Sequence, residues 1–128
     1  MTLFTRICAV VRPERVFTVL ALTAGLYMVF VTGPFQAPDE GNHFFRAYQI
    51  AEGRLLAVRM GQKVGGWLPT EVVDVVAPFS YVPFHPDQKI DTALLSTLVR
   101  KPVGGERTFV DYPNTALNAP IIYLPQAA

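Results

Sequence analysis

Charge is scarce in this sequence: Asp, Glu, Lys and Arg make up 16% of its 128 residues, whereas soluble domains average about 25%. The deficit is uneven, because every position from Val16 to Pro38 is uncharged while charged side chains recur elsewhere. A simple water-soluble globule is thereby excluded. Cysteine is nearly absent: with Cys8 alone, an intrachain disulfide framework and a cysteine-built metal centre are both ruled out. The formal net charge is only +1 and no Lys/Arg run occurs, so the chain carries no electrostatic footprint for nucleic acid. No internal repeat, low-complexity tract, phosphate-binding loop, dinucleotide fingerprint or zinc-protease motif is found. The glycine pairs Gly65-Gly66 and Gly104-Gly105 stand outside the strand-to-helix setting of a phosphate loop and read as turns.

What the sequence does have is one apolar block. Val16 to Thr32 reads VFTVLALTAGLYMVFVT, and Gly33-Pro34 then supply a break that a continuing helix tolerates poorly. Roughly 20 helical residues cross the hydrocarbon core of a bilayer, so residues 16–34 are expected to form a transmembrane helix. Arg6, Arg12 and Arg15 precede the block, and Asp39 and Glu40 follow it. By the positive-inside rule, residues 1–15 are expected in the cytoplasm and residues after about 34 outside the membrane. A cleaved signal peptide is the alternative. It is disfavoured by the length of the run and by Phe35 and Gln36, which spoil a small-x-small cleavage site before Ala37.

Residues 39–52 read as a short helix. Pro38 suits a helix start, Asp39 and Glu40 complement the positive end of its dipole, and Gly53 is placed as a C-terminal cap. Phe44, Ala47, Tyr48 and Ala51 share one stripe at helical spacing, and Asp39, His43 and Arg46 share another. The second face therefore offers a carboxylate, an imidazole and a guanidinium. One reading makes these a cap, a solvated His and an Arg snorkelling toward headgroups. The other makes the acid a base or cation ligand, with His43 and Arg46 facing a phosphate.

Farther along, Arg54–Gly66 reads as extended or irregular, and Thr70–Val76 as helical turns or a strand. Residues 78–90 read as loop, broken by Pro78, Pro83 and Pro86. A second short helix is expected over 91–100, capped by Asp91 with Leu94, Leu95 and Leu98 as its apolar face. Thr108–Tyr112 suits a short strand. Residues 115–128 are apolar and interrupted by Pro120 and Pro125, as the start of a second membrane or re-entrant segment would be. The expected fold class is mainly α and membrane-bound. One transmembrane helix leads into a loop-rich extracytoplasmic segment (35–114) with short helices, and the whole is a fragment of a larger polytopic fold.

At PFQAPDEGNHFFRAYQIAEGRL, GGWLP and YPNTALNAPIIYLPQA the chain resembles the front end of the bacterial multi-pass membrane proteins grouped as domain of unknown function 2142. Members are similar to GT-C glycosyltransferases, which take a sugar from a polyprenyl-phosphate carrier outside the cytoplasmic membrane. They tend to have Pro after the acidic pair, where this chain has Gly41. The resemblance implies a bacterial inner-membrane location and an acidic pair in the first outer loop as the catalytic position, here Asp39 and Glu40. His43 and Arg46 are the implied substrate-binding residues, and a divalent cation is an optional cofactor held by Asp39 and Glu40. Implied partners are membrane lipid, a polyprenyl-phosphate-linked sugar and the remaining helices of the full-length protein, so that this part alone is expected to be inactive. The alternative is a non-enzymatic membrane-anchored protein whose outer loop binds a partner or lipid.

Overall fold

The computed structural model describes residues 12–85 and 87–127. The expected cytoplasmic N-terminus, with Arg6 and Cys8, therefore lies outside the described residues as far as residue 11, as does Pro86. The chain divides into two units, Met1–Gly33 and Pro34–Ala128. About half of it is helical, and a small antiparallel sheet accompanies the helices.

The apolar block folds as helix α1, Pro13–Val31, with Pro13 in its first turn, where the missing N–H costs nothing. Thr18 returns its hydroxyl to the Glu14 carbonyl at 2.8 Å, and Thr32 leaves the helix in extended conformation. None of its side chains is buried, and its mean hydropathy reaches 1.6. At about 1.5 Å per residue it is long enough, and by composition apolar enough, to cross a membrane.

The second unit is organised by α2, Glu40–Ala51. Its end has the geometry that glycine permits: Gly53 sits at a φ of 77°. The Gly53 N–H donates to the Ile50 carbonyl at 2.8 Å and the Arg54 N–H to Gln49 at 3.0 Å, which closes a Schellman motif. Three strands follow in the order β1-β2-β3, all antiparallel: β1 Val58–Met60, β2 Lys63–Pro69 and β3 Arg107–Asp111. Gly61, at a φ of 62°, holds the first position of the two-residue β1–β2 hairpin, which type II′ turns reserve for glycine.

The sheet takes in the strand expected near Thr108–Tyr112 and part of the stretch Arg54–Gly66 read as extended or irregular, and it corrects one reading by placing Gly65 and Gly66 inside β2 rather than in a turn. They are small because the neighbours are close. A Cβ on Gly65 would collide with the Val110 carbonyl of β3, and one on Gly66 would stand 2.5 Å from the Tyr112 hydroxyl.

Between β2 and β3 run α3 (Thr70–Val76), a 3-10 turn (Ala77–Phe79) and α4 (Thr92–Val99). Asp91 caps α4 by accepting from the Ala93 and Leu94 N–H groups. After β3 come α5 (Pro113–Ala116), a 3-10 turn (Pro120–Tyr123) and α6 (Leu124–Ala127). All three pack against α2.

Two apolar clusters result. Phe45, Leu68, Val72, Tyr112 and Ala116 form one, and Phe35, Phe79, Val82 and Leu98 form the other, with Phe44 and Val76 packed against both. Arg107 of β3 grips the Glu52 carboxylate through both terminal nitrogens, at 2.9 and 2.5 Å, and also donates to the Trp67 carbonyl. The Arg107 hydrogen bond holds the Glu52 carboxyl below its ordinary value of 4.5, assisted by the charges of Arg107 and Arg54 and opposed by burial. A lowered folded-state value gives stability that is present above the unfolded value and lost as pH falls through the folded one. The melting temperature is therefore expected to fall as the pH drops below the ordinary Glu value of 4.5, and Glu52→Gln should remove part of that fall. An identical acid limb in the variant would show that the pair contributes nothing.

Candidate functional site

The α2 helix begins in strain. Asp39 precedes it at a φ of 62°, a left-handed conformation that Asp tolerates better than most residues. Its exposed carboxylate does not cap α2; Oδ1 accepts instead from Asn114 Nδ2 at 3.2 Å. Glu40, half-buried, turns back to accept from the Ala37 N–H at 3.2 Å.

Both acids line one pocket of about 440 Å³, walled by Phe45, Val73, Val76 and Phe79. Glu40 also lines a second pocket of about 390 Å³ together with His43, Phe44, Tyr48 and Tyr123. Glu40 and Phe35 are common to the two. Glu40 thus borders both of these largely apolar hollows, and Asp39 borders the first. Such surroundings strengthen any charge interaction formed in them.

His43 is exposed, and its ring is anchored through Nδ1, 2.9 Å from the Tyr123 hydroxyl. Asn118 Nδ2 donates to the same phenolic oxygen at 3.1 Å. The direction of the His43–Tyr123 bond depends on the imidazole tautomer, and in either direction Nε2 is left to face the pocket or solvent.

Arg46 departs from the sequence expectation. Spacing places it on a solvent-facing stripe with Asp39 and His43, yet it is 2% exposed. Its Nη1 donates to Gln49 Oε1 at 2.6 Å, and its Nη2 to the carbonyls of Leu55 at 3.0 Å and Asn118 at 3.1 Å. The helix therefore buries Phe45, Arg46, Gln49 and Ile50. The stripe of Phe44, Ala47, Tyr48 and Ala51 is left partly open as a pocket wall. The reason is that Gln49 and two backbone carbonyls accept from the terminal nitrogens of the guanidinium, leaving Nε as the one buried nitrogen without a partner, so a charged residue can occupy a core position.

Gln49 completes this interior network. Its Oε1 also accepts from the Tyr112 hydroxyl at 2.9 Å, and its Nε2 donates to the Leu56 carbonyl at 2.9 Å. Burial raises the Tyr112 phenol to about 12, against the lowering effect of Arg46, which keeps it a neutral donor. Thr115 adds a bond from its hydroxyl to the Asn42 carbonyl at 2.9 Å.

Tyr112, Asn114, Thr115, Asn118 and Tyr123 thus all lock the C-terminal segment onto α2 or the residue before it. Sequence reading missed them as a group. The available signal was that polar and aromatic residues crowd two segments with no obvious surface role, YPNTALNAPIIY and DEGNHFFRAYQ.

Among the described residues no group of three or more His, Cys, Asp or Glu side chains converges to hold a metal. The acid pair alone offers at most two ligands. No protein-family model, curated protein or solved structure matches the chain.

Proposed function

We propose that this chain is the front part of a bacterial inner-membrane enzyme that transfers a sugar from a polyprenyl-phosphate carrier. In this reading the N-terminus is cytoplasmic, α1 spans the membrane and residues after about 34 lie on the extracytoplasmic side. The observation that supports it is that Glu40 lines two apolar-walled pockets, with Asp39 beside it in one and His43 in the other. Glycosyl transfer needs a base for the acceptor hydroxyl and donors for the departing phosphate. Asp39 or Glu40 takes the hydroxyl proton as the acceptor oxygen bonds to the sugar's anomeric carbon and the phosphate leaves. His43 donates to the phosphate oxygens. Arg46 drops out of this set, because its hydrogen bonds are used inside the fold. A divalent cation, if one takes part, would draw on the two carboxylates and take its other ligands from water and substrate oxygens.

Loss of a general base costs about 10²–10⁴-fold in rate. Asp39→Asn and Glu40→Gln, each introduced at the native gene, are expected to lower surface-glycan transfer, one of them by at least about 100-fold, with unchanged membrane content of the protein. Undiminished transfer in both variants would sink the base assignment. An unchanged glycan profile on deletion of the gene would sink the enzyme reading itself.

A further inference from the structure

A third hollow, of about 560 Å³, opens between the segment after α2 and the segment after α5. Its walls include Leu55, Leu56 and Arg59 on one side and Leu117 and Pro120 on the other, and Arg46 contributes to its lining. Leu56 is 84% exposed and Leu117 83%, which is costly for large aliphatic side chains in water. Ile121, close by in sequence, is also exposed.

The charged residues that line this groove, Arg46 and Arg59, are both cations, while the nearest acid in hydrogen-bond contact with a wall residue, Asp111, is engaged by the Val64 N–H at 2.9 Å. Residues 53–69 carry Arg54, Arg59 and Lys63 and no acid, and residues 112–128 carry no charged residue. Beneath it lies the Arg46 guanidinium, a buried cation whose recorded hydrogen-bond partners are all neutral. Its Nε is buried and has no hydrogen-bond partner. The ion pairs recorded among the described residues join only Glu52 to Arg54 and Arg107. A buried cation without a counter-charge raises the local potential in a low dielectric. The same cation fixes the groove's shape, because Nη2 ties the Leu55 carbonyl of one wall to the Asn118 carbonyl of the other.

We propose that this groove seats the headgroup and first acyl carbons of an anionic phospholipid, so that the second unit docks on the surface of a bilayer. The apolar walls take the acyl carbons, and Arg59 together with the Arg46 field meets the phosphate. The proposal rests on the membrane reading of α1, which brings a bilayer to the chain, and it is independent of sugar transfer.

The test uses the full chain in nanodiscs of phosphatidylcholine, with and without phosphatidylglycerol, read by hydrogen exchange at the amides of 54–59 and 117–121. Each cation near an anionic membrane surface contributes enough for about a fivefold effect, so exchange there is expected to slow about fivefold or more in the anionic discs. High salt should reverse the slowing. Leu56→Asp with Leu117→Asp, both at exposed positions, should abolish it while the melting temperature holds. Arg59→Glu should reduce it. Equal exchange in both kinds of disc would overturn the proposal. So would the same protection from inorganic phosphate without anionic lipid, since that would mark a free-anion site. Recovery of the chain in the aqueous phase, outside the discs, would instead defeat the membrane reading of α1 on which the proposal rests.

Discussion

Gly65→Ala is expected to disrupt the sheet and to destabilise the second unit by about 4 kcal/mol, at the upper end of single-substitution effects. The added methyl would fall within contact distance of the Val110 carbonyl oxygen and carbon, and 3.2 Å from Asp111 Cα. These are backbone atoms of the strand paired with β2, in register from Gly65↔Asp111 to Pro69↔Arg107. Overpacking against a mobile side chain costs about 1–3 kcal/mol because the side chain can move. Here relief requires β3 itself to shift, which strains the β2–β3 ladder and the bidentate Arg107–Glu52 pair beyond it. Gly25→Ala is the control, since nothing lies within 4 Å of its added Cβ; inside α1 it should be neutral or stabilising by up to about 1 kcal/mol. Chemical denaturation of the full chain in detergent micelles measures both. A Gly65→Ala protein within about 1 kcal/mol of the parent would show that the two strands are not paired as described.

Local chemistry was legible in the sequence. A long uncharged run, Gly53 after α2 and Asp91 before α4 each act within a few residues, and the chain folds there as those residues direct, whereas Pro38 lies in the turn before α2 and not at its first position. The sheet was hard to read because β1 has only three residues and β2 carries a glycine pair where an alternating pattern would otherwise appear. What hides there is a close approach of backbones, which no periodicity reports.

The face of α2 was hard to read for another reason. Period counting assigns apolar residues to the core, and it fails when a polar residue finds its partners far away in the chain. Arg46 reaches a carbonyl 72 positions on, and Tyr112 reaches Gln49 across 63. The adjacency of Asp39, Glu40 and His43 follows from the start of one helix and could be read. The pockets that adjoin them could not, because Val73, Val76, Phe79 and Tyr123 arrive by tertiary packing. The segments PFQAPDEGNHFFRAYQIAEGRL and YPNTALNAPIIYLPQA hydrogen-bond to each other, so packing gives their polar residues a physical reason apart from any catalytic one.

Arg46→Met is expected to lower the stability of the second unit by about 3 kcal/mol, more than its loss of charge suggests. Replacing a buried ion pair with apolar side chains is often neutral, because both partners leave together. That escape is closed here. Two of the acceptors are the main-chain carbonyls of Leu55 and Asn118, in part-buried bonds, which no substitution removes, and an acceptor left without a partner away from water costs about 1–3 kcal/mol. Gln49 Oε1 keeps the Tyr112 hydroxyl as a donor, so that group loses less. Arg46→Lys should recover only part of the stability, because one ammonium cannot reproduce the planar fork that spans Gln49, Leu55 and Asn118. Hydrogen exchange separates this account from a general loss of packing: amides at 55–57 and 118–119 should exchange faster in Arg46→Met, while those of the β2–β3 ladder slow or speed only with global stability. If Arg46→Met keeps the parent's denaturation midpoint, the guanidinium does not hold the two segments together, and the buried face of α2 has to be assigned differently.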